Sequence, residues 1–237
     1  MSIDLAEIRG VPECVLDAHQ AGELPPNQAP APWTARATGM FWWGRPDDAA
    51  CDALREVLPA PLATLRPIFV AAALISYSET PVGAYHEVLA IVSLRARRRA
   101  VVSHVPFIAV DSAPSVVGGR ANWALPKVIA DFSGEPVDRT TMTASGPDWT
   151  ISATPRGTRM PLPFASPPMR GLTQYGPDDE AWRAKASGRG VVKLAKIDVT
   201  VSSIGSLAAW LPSGTCRGAL APSMRGWMGP STITPAR

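Results

Sequence analysis

Three apolar runs, separated by turn residues, constrain the fold more than any other feature of the sequence. They are RPIFVAAALISYS (66–78), GAYHEVLAIVSL (83–94) and AVVSHVPFIAV (100–110). Short apolar runs bounded by turn residues are typical of β-strands that are buried on both faces. The sequence therefore predicts three consecutive buried strands.

Further strands are predicted on both sides of this block. TGMFWW (38–43) and GVVKLAKIDVTVS (190–202) have strand character. Residues 130–160 show polar alternation between Gly and Pro turns, which is typical of solvent-facing hairpins. About the last 30 residues show no period, so we expect an irregular segment in which Trp210 and Trp227 are packed.

Two helices are predicted from their capping residues. Asp47 or Asp48 can cap a helix that runs to about Leu58, where Pro59 stops it. The segment DSAPSVVGGRANW (111–123) begins with possible N-cap residues, and we expect a short helix within it.

These elements predict one α+β domain that is dominated by antiparallel sheet. The 25 prolines and 19 glycines favour short elements, and 237 residues of which 46% are hydrophobic can bury a substantial core. Residues 1–36 are rich in Pro and Ala, and we expect an extended arm that crosses the surface or a neighbouring subunit. Residues 37–237 then form the single domain.

Charge and cysteine content argue against several classes of protein. The net charge is +3, and the dense basic run of Arg95 and Arg97–Arg99 lies between two strand-like segments. A solvated hairpin turn is therefore favoured over a nucleic-acid site, which needs a basic surface of wider extent. Cys14, Cys51 and Cys216 are too widely spaced to suggest a disulfide framework or a metal site.

The sequence also predicts no contact with a membrane. The longest purely apolar run, IFVAAALI, has eight residues, whereas a membrane-spanning helix needs about twenty. The first residues, MSIDLAEIRG, lack the basic and then apolar regions of a secretion signal. We therefore expect a cytoplasmic protein.

Lys127 is the residue that most strongly suggests chemistry. The chain has four lysines, and this one lies in the apolar stretch NWALPKVIA. If residues 83–94 form a strand, Tyr85 and Glu87 share one face while His86 lies on the other. Both faces are otherwise apolar, so Glu87 is expected to be buried, and a buried carboxylate either pairs or takes up a proton.

Two interpretations of Lys127 follow, and they predict opposite pKa values. In the first, Glu87 and Lys127 neutralise each other in the core, which raises the lysine pKa. In the second, apolar walls desolvate Lys127 so that its amine is neutral and nucleophilic. Lowering the pKa from about 10.4 to about 7 corresponds to about 4–5 kcal/mol of destabilisation of the charged form.

No other motif competes with this lysine. The sequence has no HExxH, no Gly-rich phosphate loop and no GxSxG. His86 and His104 are expected to be core or surface histidines rather than catalytic bases.

Four segments resemble the acetoacetate decarboxylase family. They are ALREVLPAPL (53–62), VGAYHEV (82–88), VDSAPSVVGGR (110–120) and NWALPK (122–127). Their order and spacing fit the family, and the set "Y-x-E … GR … PK" is fairly specific. The similarity covers about residues 38–135, and extends more loosely to about residue 200.

This resemblance implies a cone-shaped β-barrel around a mostly apolar pocket, usually in a homo-oligomer. The lysine of "PK", here Lys127, would form a Schiff base with a keto acid, and the glutamate of "Y-x-E", here Glu87, would assist with protons or positioning. Acetoacetate decarboxylase is itself a well-known example of an enzyme whose surroundings lower the pKa of a reactive lysine. No metal or organic cofactor is implied. The candidate substrate contacts are Tyr85, Trp123, Met40 and Arg120.

Three positions depart from the family pattern. Val128 replaces a second lysine after the reactive one, and Ala72 falls where a second glutamate is expected. Met40 falls where an arginine would hold the substrate carboxylate, although Arg36 and Arg45 are nearby. These changes remove handles for a substrate and place acetoacetate itself in question.

Three functions are compatible with the sequence. The first is decarboxylation of a β-keto acid through an iminium on Lys127. The second is an aldolase-dehydratase that condenses pyruvate with an aldehyde through the same lysine. The third, from another class, is a non-catalytic barrel that binds a small apolar ligand.

Overall fold

Strands make up most of the chain. The computed structural model describes residues 4–96 and 100–235, with the side chains of all of these except residues 166–171. The strands are β1 (Trp33–Gly44), β2 (Arg66–Glu79), β3 (Tyr85–Arg95), β4 (Val101–Val110), β5 (Lys127–Ile129), β6 (Asp131–Ser133), β7 (Met142–Gly146), β8 (Trp149–Arg156), β9 (Leu162–Tyr175), β10 (Ala181–Ser203), β11 (Gly214–Met228) and β12 (Thr232–Thr234).

The helices are few and short. They are α1 (Ala18–Gly22), α2 (Asp48–Val57), α3 (Ala60–Ala63), α4 (Ala113–Trp123) and α5 (Leu207–Trp210), together with 3-10 turns at Leu5–Glu7 and Pro12–Cys14. In the part of the chain that the structure describes, no helix is both long enough and apolar enough to cross a membrane.

One large mixed sheet contains all of these strands. Its order is β11-β1-β2-β3-β4-β9-β10-β8-β7-β6, and β10 pairs with β11 as well as with β9 and β8. The pairs β4–β5 and β4–β9 are parallel, and the latter rests on the single residue pair Ser103 and Leu172. The other pairings are antiparallel. The fold is therefore α+β and mostly strand, as predicted.

The two predicted helices are confirmed. In α2, the Asp47 carboxylate accepts a hydrogen bond from the backbone N–H of Ala50 at 2.8 Å, and Ala50, Cys51 and Leu54 form the buried face. The helix ends at Val57, two residues before the proline that cannot continue it. In α4, the Ser112 side chain caps the helix through the N–H of Ser115.

The three apolar runs form β2, β3 and β4, as predicted. The prediction of an irregular C-terminal segment was wrong, because Gly214–Met228 is a long strand between β1 and β10. Its glycines and Pro222 obscure the alternation, and the pairing shifts register near Pro222. Trp210 is buried, whereas Trp227 is 37% exposed.

The segment before β1 contains short helices and packs on the sheet. Ile8, Val11 and Cys14 are buried, and the backbone N–H of Ile108 in β4 donates to Cys14 Sγ at 3.4 Å. The predicted basic turn lies outside the described residues at 97–99, and Arg95 ends β3.

The main hydrophobic core lies on one face of β1, β2 and β3. It contains even-numbered residues of these strands, which alternate with the residues on the other face. Its largest fully buried members include Trp42, Met40, Leu74 and Phe107. The opposite face of the same strands lines a cavity.

Candidate active site

A cavity of about 450 Å³ lies against the odd-numbered side chains of β1, β2 and β3. Lys127 and Glu87 lie in its wall and are 3% and 5% exposed, respectively. Most of the remaining lining is apolar, and it includes Trp33, Phe41, Ile75, Leu89, Ile108 and Trp123. The cavity therefore holds an ionisable pair in surroundings of low polarity.

The turn between α4 and β5 delivers Lys127 to this cavity. Ala124 ends α4 in the left-handed region, with φ of 51°, and its N–H donates to the carbonyl of Arg120. The chain then pairs in parallel with β4, which places Lys127 beside Ile108. Lys127 faces the cavity, while the next residue, Val128, belongs to the main core.

Two glycines let α4 approach Lys127 closely. A Cβ at Gly119 would lie 2.5 Å from Lys127 Cδ and 2.8 Å from its Cε. A Cβ at Gly118 would overlap the ring of Trp33. The paired glycines of the sequence motif therefore make room for the aliphatic part of Lys127 and for one wall of the cavity.

Hydrogen bonds connect four side chains at the end of Lys127. Its Nζ donates to Glu87 Oε2 at 2.7 Å and to Ser115 Oγ at 2.9 Å. The hydroxyl of Tyr77 donates to Glu87 Oε1 at 3.1 Å. Nζ also lies 5.2 Å from the centroid of the Tyr85 ring, within range of a cation–π interaction.

These contacts hold Lys127 as an ammonium ion in the ligand-free protein. Burial by itself lowers the lysine pKa, but the charge of Glu87, then the neighbouring Tyr85 and the hydrogen bonds raise it, and the net pKa lies above its usual value. Of the two interpretations of Lys127, the geometry at rest therefore supports pairing with Glu87 over a neutral amine. Apolar walls are present, but a carboxylate at 2.7 Å outweighs them.

The two tyrosines remain protonated. Burial, followed by the charge of Glu87, raises the pKa of Tyr77 well above its ordinary value. Burial raises the pKa of Tyr85 to about 12, although the Lys127 charge opposes this. Both hydroxyls can therefore donate hydrogen bonds at neutral pH.

The structure brings together four of the six predicted site residues. Tyr85 and Trp123 line the cavity with Lys127 and Glu87. Met40 lies instead in the main core, because strand alternation directs Phe41 towards the cavity and Met40 away from it.

Arg120 lies beneath the site rather than in it. Its Nε donates to the carbonyl of Lys127 at 2.7 Å, and its terminal nitrogens donate to the carbonyls of Leu5, Ile8 and Cys14. Burial lowers its pKa to about 10. The predicted substrate contact is thus a fully buried side chain that fixes the Lys127 backbone to the N-terminal segment.

Tyr77 and Ser115 are site residues that the sequence analysis missed. Tyr77 lies directly opposite Tyr85 in the β2–β3 pair, so the alternation that identified Glu87 could also have identified Tyr77. Ser115 lies on α4, one turn before the paired glycines. Its role depends on how α4 packs, which the sequence alone does not indicate.

Within the described residues, no other carboxylate of β2 lines the cavity in place of the second glutamate that the family pattern predicts at Ala72. Ala72 packs in the main core and also borders the cavity, and the other cavity positions of this strand are Ala71, Ala73, Ile75 and Tyr77. The hydroxyl of Tyr77 is therefore the polar group that β2 offers to Glu87.

Arginines lie outside the buried part of the site. Arg36 pairs with Glu79 at 2.9 Å and is half-exposed. With Arg189 and Arg225 it lines an open groove of about 840 Å³, and the exposed Arg225 also borders the cavity. This groove is larger than the cavity, but its ionisable groups are exposed, so we place the chemistry in the cavity.

The histidines lie apart from Lys127. His86 faces away from Glu87 and bonds with Asp111 at 2.7 Å and Glu135 at 3.2 Å. His104 is buried beside the carbonyl of Thr173, and burial lowers its pKa to about 4. Among the described residues, no group of three His, Cys, Asp or Glu side chains is arranged to hold a metal ion.

Residues 49–153 match the family model described as Acetoacetate decarboxylase (ADC). Over this segment the chain is similar to the acetoacetate decarboxylase family. The matched segment contains Glu87 and Lys127, and the resemblance noted in the sequence is confirmed. A comparison with curated proteins gave no match.

Solved structures of the family share the fold. An acetoacetate decarboxylase-like enzyme from Sphingomonas wittichii RW1 is 14% identical, with a TM-score of 0.62 over 88% of this chain and 95% of that one. Acetoacetate decarboxylase from Legionella pneumophila is 12% identical, with a TM-score of 0.56 over 89% and 90%.

The enduracididine biosynthesis enzyme MppR is a further structural neighbour. Its complex with the condensation product of pyruvate and imidazole 4-carboxaldehyde is 16% identical, with a TM-score of 0.62 over 90% of this chain and 93% of that one. The neighbours therefore include both acetoacetate decarboxylase and an enzyme of enduracididine biosynthesis on one fold.

Proposed function

We propose that this protein is a Schiff-base-forming lyase that decarboxylates a β-keto acid through Lys127. The observation that carries the proposal is the buried Lys127 Nζ, 2.7 Å from Glu87 in a largely apolar cavity. The family match supports the same class of enzyme. The chemistry needs only the substrate, water and the side chains of the cavity.

The incoming keto acid prepares the nucleophile. It displaces water from the cavity, and desolvation favours the neutral form of the ion pair. Glu87 then takes a proton from Lys127 along their hydrogen bond, which leaves a neutral amine and a neutral acid. In the resting ion pair the proton thus lies on Lys127, and it moves to Glu87 when the substrate binds.

The neutral amine attacks the ketone carbon and forms a carbinolamine. Glu87 returns its proton to the leaving oxygen, so that water departs and a protonated iminium remains. The bond to the carboxyl carbon then breaks, its electron pair neutralises the iminium as an enamine, and carbon dioxide leaves.

A proton completes the cycle. It is taken up from solvent, passes through Glu87 to the enamine carbon and regenerates the iminium. Water adds to the iminium carbon and gives a carbinolamine. Its breakdown releases the ketone product and returns Lys127 as an ammonium, which pairs again with Glu87. Ser115 positions Nζ, and Tyr77 holds Glu87 at its other oxygen.

The same proposal extends to the architecture. The pairings run from β11 through β1, β2, β3, β4, β9 and β10 and return to β11. We take this ring to be the cone-shaped barrel of the family, with the cavity inside it. We also propose that the protein is a homo-oligomer, as its relatives usually are.

An aldolase-dehydratase is the second candidate. The observation that favours it is the similarity to MppR, whose structure contains a condensation product of pyruvate. The absence of a second carboxylate on the described cavity face of β2 is compatible with either reaction. In this candidate, Lys127 forms the same iminium, and the enamine attacks an aldehyde before water is lost.

A non-catalytic binding protein is the third candidate. The observation that favours it is the ion pair itself, since a lysine that never releases its proton forms no Schiff base. The apolar cavity would then hold a small ligand without reaction.

Borohydride trapping distinguishes the three candidates. We expect incubation with β-keto acids followed by reduction to leave a covalent adduct on the Lys127 peptide, with release of carbon dioxide. A condensed unsaturated keto acid formed from pyruvate and an aldehyde would instead establish the second candidate. Absence of an adduct with every keto compound would leave the binding protein.

A further inference from the structure

We infer that the substrate is a β-keto acid with an apolar chain that is considerably longer than the methyl group of acetoacetate. This inference rests on the proposed function and adds the class of substrate. The observations behind it are the volume of the cavity, the character of its lining and the small residues that keep it open.

The cavity is too large for a short keto acid. Its volume is about 450 Å³. At about 30 Å³ for each water-sized group, it can accept roughly 15 non-hydrogen atoms, about twice the size of acetoacetate. An acetoacetate molecule on Lys127 would therefore leave much of the cavity unfilled.

The unfilled part of the cavity is largely apolar. Around Lys127, Glu87 binds its Nζ, Tyr77 binds Glu87, and the Tyr85 ring approaches Nζ. Thr80, Ser187 and Arg225 also line the cavity, where it shares residues with the open groove. Away from these polar residues the walls are formed mainly by apolar side chains, which include Phe41, Ile91, Val105, Leu172, Met224 and Met228. Such walls favour a hydrocarbon or aryl chain and disfavour a second charged group.

Small residues on three neighbouring strands keep the space open. Ala35 of β1 lies opposite Gly226 of β11, which lies opposite Gly188 of β10. A Cβ at Gly226 would meet no atom closer than 4.0 Å, and a Cβ at Gly188 would meet its first neighbour at 3.7 Å. Larger side chains would fit here without steric strain. Close packing of the backbone therefore does not require glycine at these positions, and the space is open because the side chains are small.

The expected effect grows with chain length. Each methylene buried in an apolar site contributes enough transfer free energy for a change of about fourfold. We expect kcat/KM to rise by about this factor for each carbon that is added to the β-keto acid, until the cavity is filled. Acetoacetate is then among the poorest substrates of the series.

The test uses a homologous series of straight-chain β-keto acids with the full-length protein. Carbon dioxide release gives kcat/KM, and borohydride trapping gives the amount of adduct on Lys127. A kcat/KM that stays constant or falls as the chain becomes longer than that of acetoacetate would overturn the inference and leave the proposed function intact. If no member of the series is trapped, the proposed function fails instead.

Two substitutions narrow the cavity away from Lys127 and Glu87. Ala35→Leu and Gly226→Leu each place a larger side chain on the cavity face, and we expect either to lower the ratio of long-chain to short-chain kcat/KM by at least tenfold. Thr34→Leu is the matched control, because Thr34 is exposed on the other face of β1. An unchanged ratio in both folded cavity variants would overturn the inference.

Discussion

The two faces of β1, β2 and β3 are made of alternate residues of the same strands, yet one face is filled and the other encloses a cavity. On the filled face, Trp42, Met40 and Leu74 are completely buried against other side chains. On the cavity face, small residues such as Ala37 and Ala73 lie among larger ones such as Phe41, and space remains beside them. The filled face stabilises the fold, and the open face is available to a ligand.

The location of charge follows the same division. The cavity face carries the Lys127–Glu87 pair, which is almost completely buried. A buried ion pair is weak evidence for stability, because desolvation of two charges can exceed their attraction. The pair therefore has a better explanation in chemistry than in folding.

The largest effect is expected when Lys127 is removed. Lys127→Met leaves Glu87 buried without its cation, and breaking a buried pair in this way costs about 3–5 kcal/mol. We expect urea unfolding to show this loss, together with complete loss of the borohydride adduct. The double variant Lys127→Met/Glu87→Gln should recover most of the stability and none of the adduct. A single variant as stable as the wild type would show that the pair is not buried.

A leucine on each face compares the packing directly. Leu74→Ala opens a cavity in the filled core and should lower the free energy of unfolding by about 3 kcal/mol. Leu89→Ala enlarges a space that already exists, so we expect a loss of about 1 kcal/mol. Urea unfolding measures both. Equal losses would contradict the difference between the faces.

His104 tests how strongly the filled face excludes charge. It lies opposite Val92 of the main core, and its pKa falls from 6.5 to about 4 through burial. Below about pH 6.5 the unfolded chain therefore binds a proton at His104, whereas the folded protein binds it only below about pH 4. Stability due to this group is present above pH 6.5 and is lost as the pH falls, by about 3 kcal/mol at pH 4.

His104→Gln is the control for this pH dependence. Unfolding measured from pH 7 to pH 4 should show a smaller decline in the variant than in the wild type. The same decline in both proteins would show that His104 titrates normally and that the filled face admits water.

The smallest effect is expected at Tyr77. Tyr77→Phe removes the hydrogen bond to Glu87 Oε1 and leaves the ring in place. The loss of one such bond corresponds to about 1 kcal/mol, so we expect kcat to fall about fivefold with little change in stability. Steady-state kinetics and urea unfolding check both expectations. An unchanged rate would assign Tyr77 to packing alone.

Local signals in the sequence predict much of this architecture. The apolar runs of β2, β3 and β4 and the cap of α2 depend on neighbouring residues, so their patterns are visible without a structure. The strand Gly214–Met228 was missed because it gains its stability from pairing with two distant strands rather than from its own alternation. Its glycines weaken the pattern, and one of them, Gly226, lines the cavity.

The candidate site was only partly predictable for the same reason. Strand alternation placed Glu87 correctly, and the unusual surroundings of Lys127 identified it as a candidate. The protonation of Lys127 depends on a 2.7 Å contact across the fold, which no local pattern determines. Arg120 was misassigned because its partners are backbone carbonyls, which any residue provides.

The lysine side chains offer the sharpest test of the proposed chemistry. The chain has only four lysines, Lys127, Lys185, Lys193 and Lys196, and only the first is buried. NMR of ¹³Cε-labelled lysine should show Lys127 as an ammonium at pH 7, with a pKa above that of an ordinary lysine. After a β-keto acid and a reducing agent are added, its signal alone should be replaced by that of a secondary amine. A Lys127 signal that stays unchanged with every keto acid would contradict its role as the nucleophile.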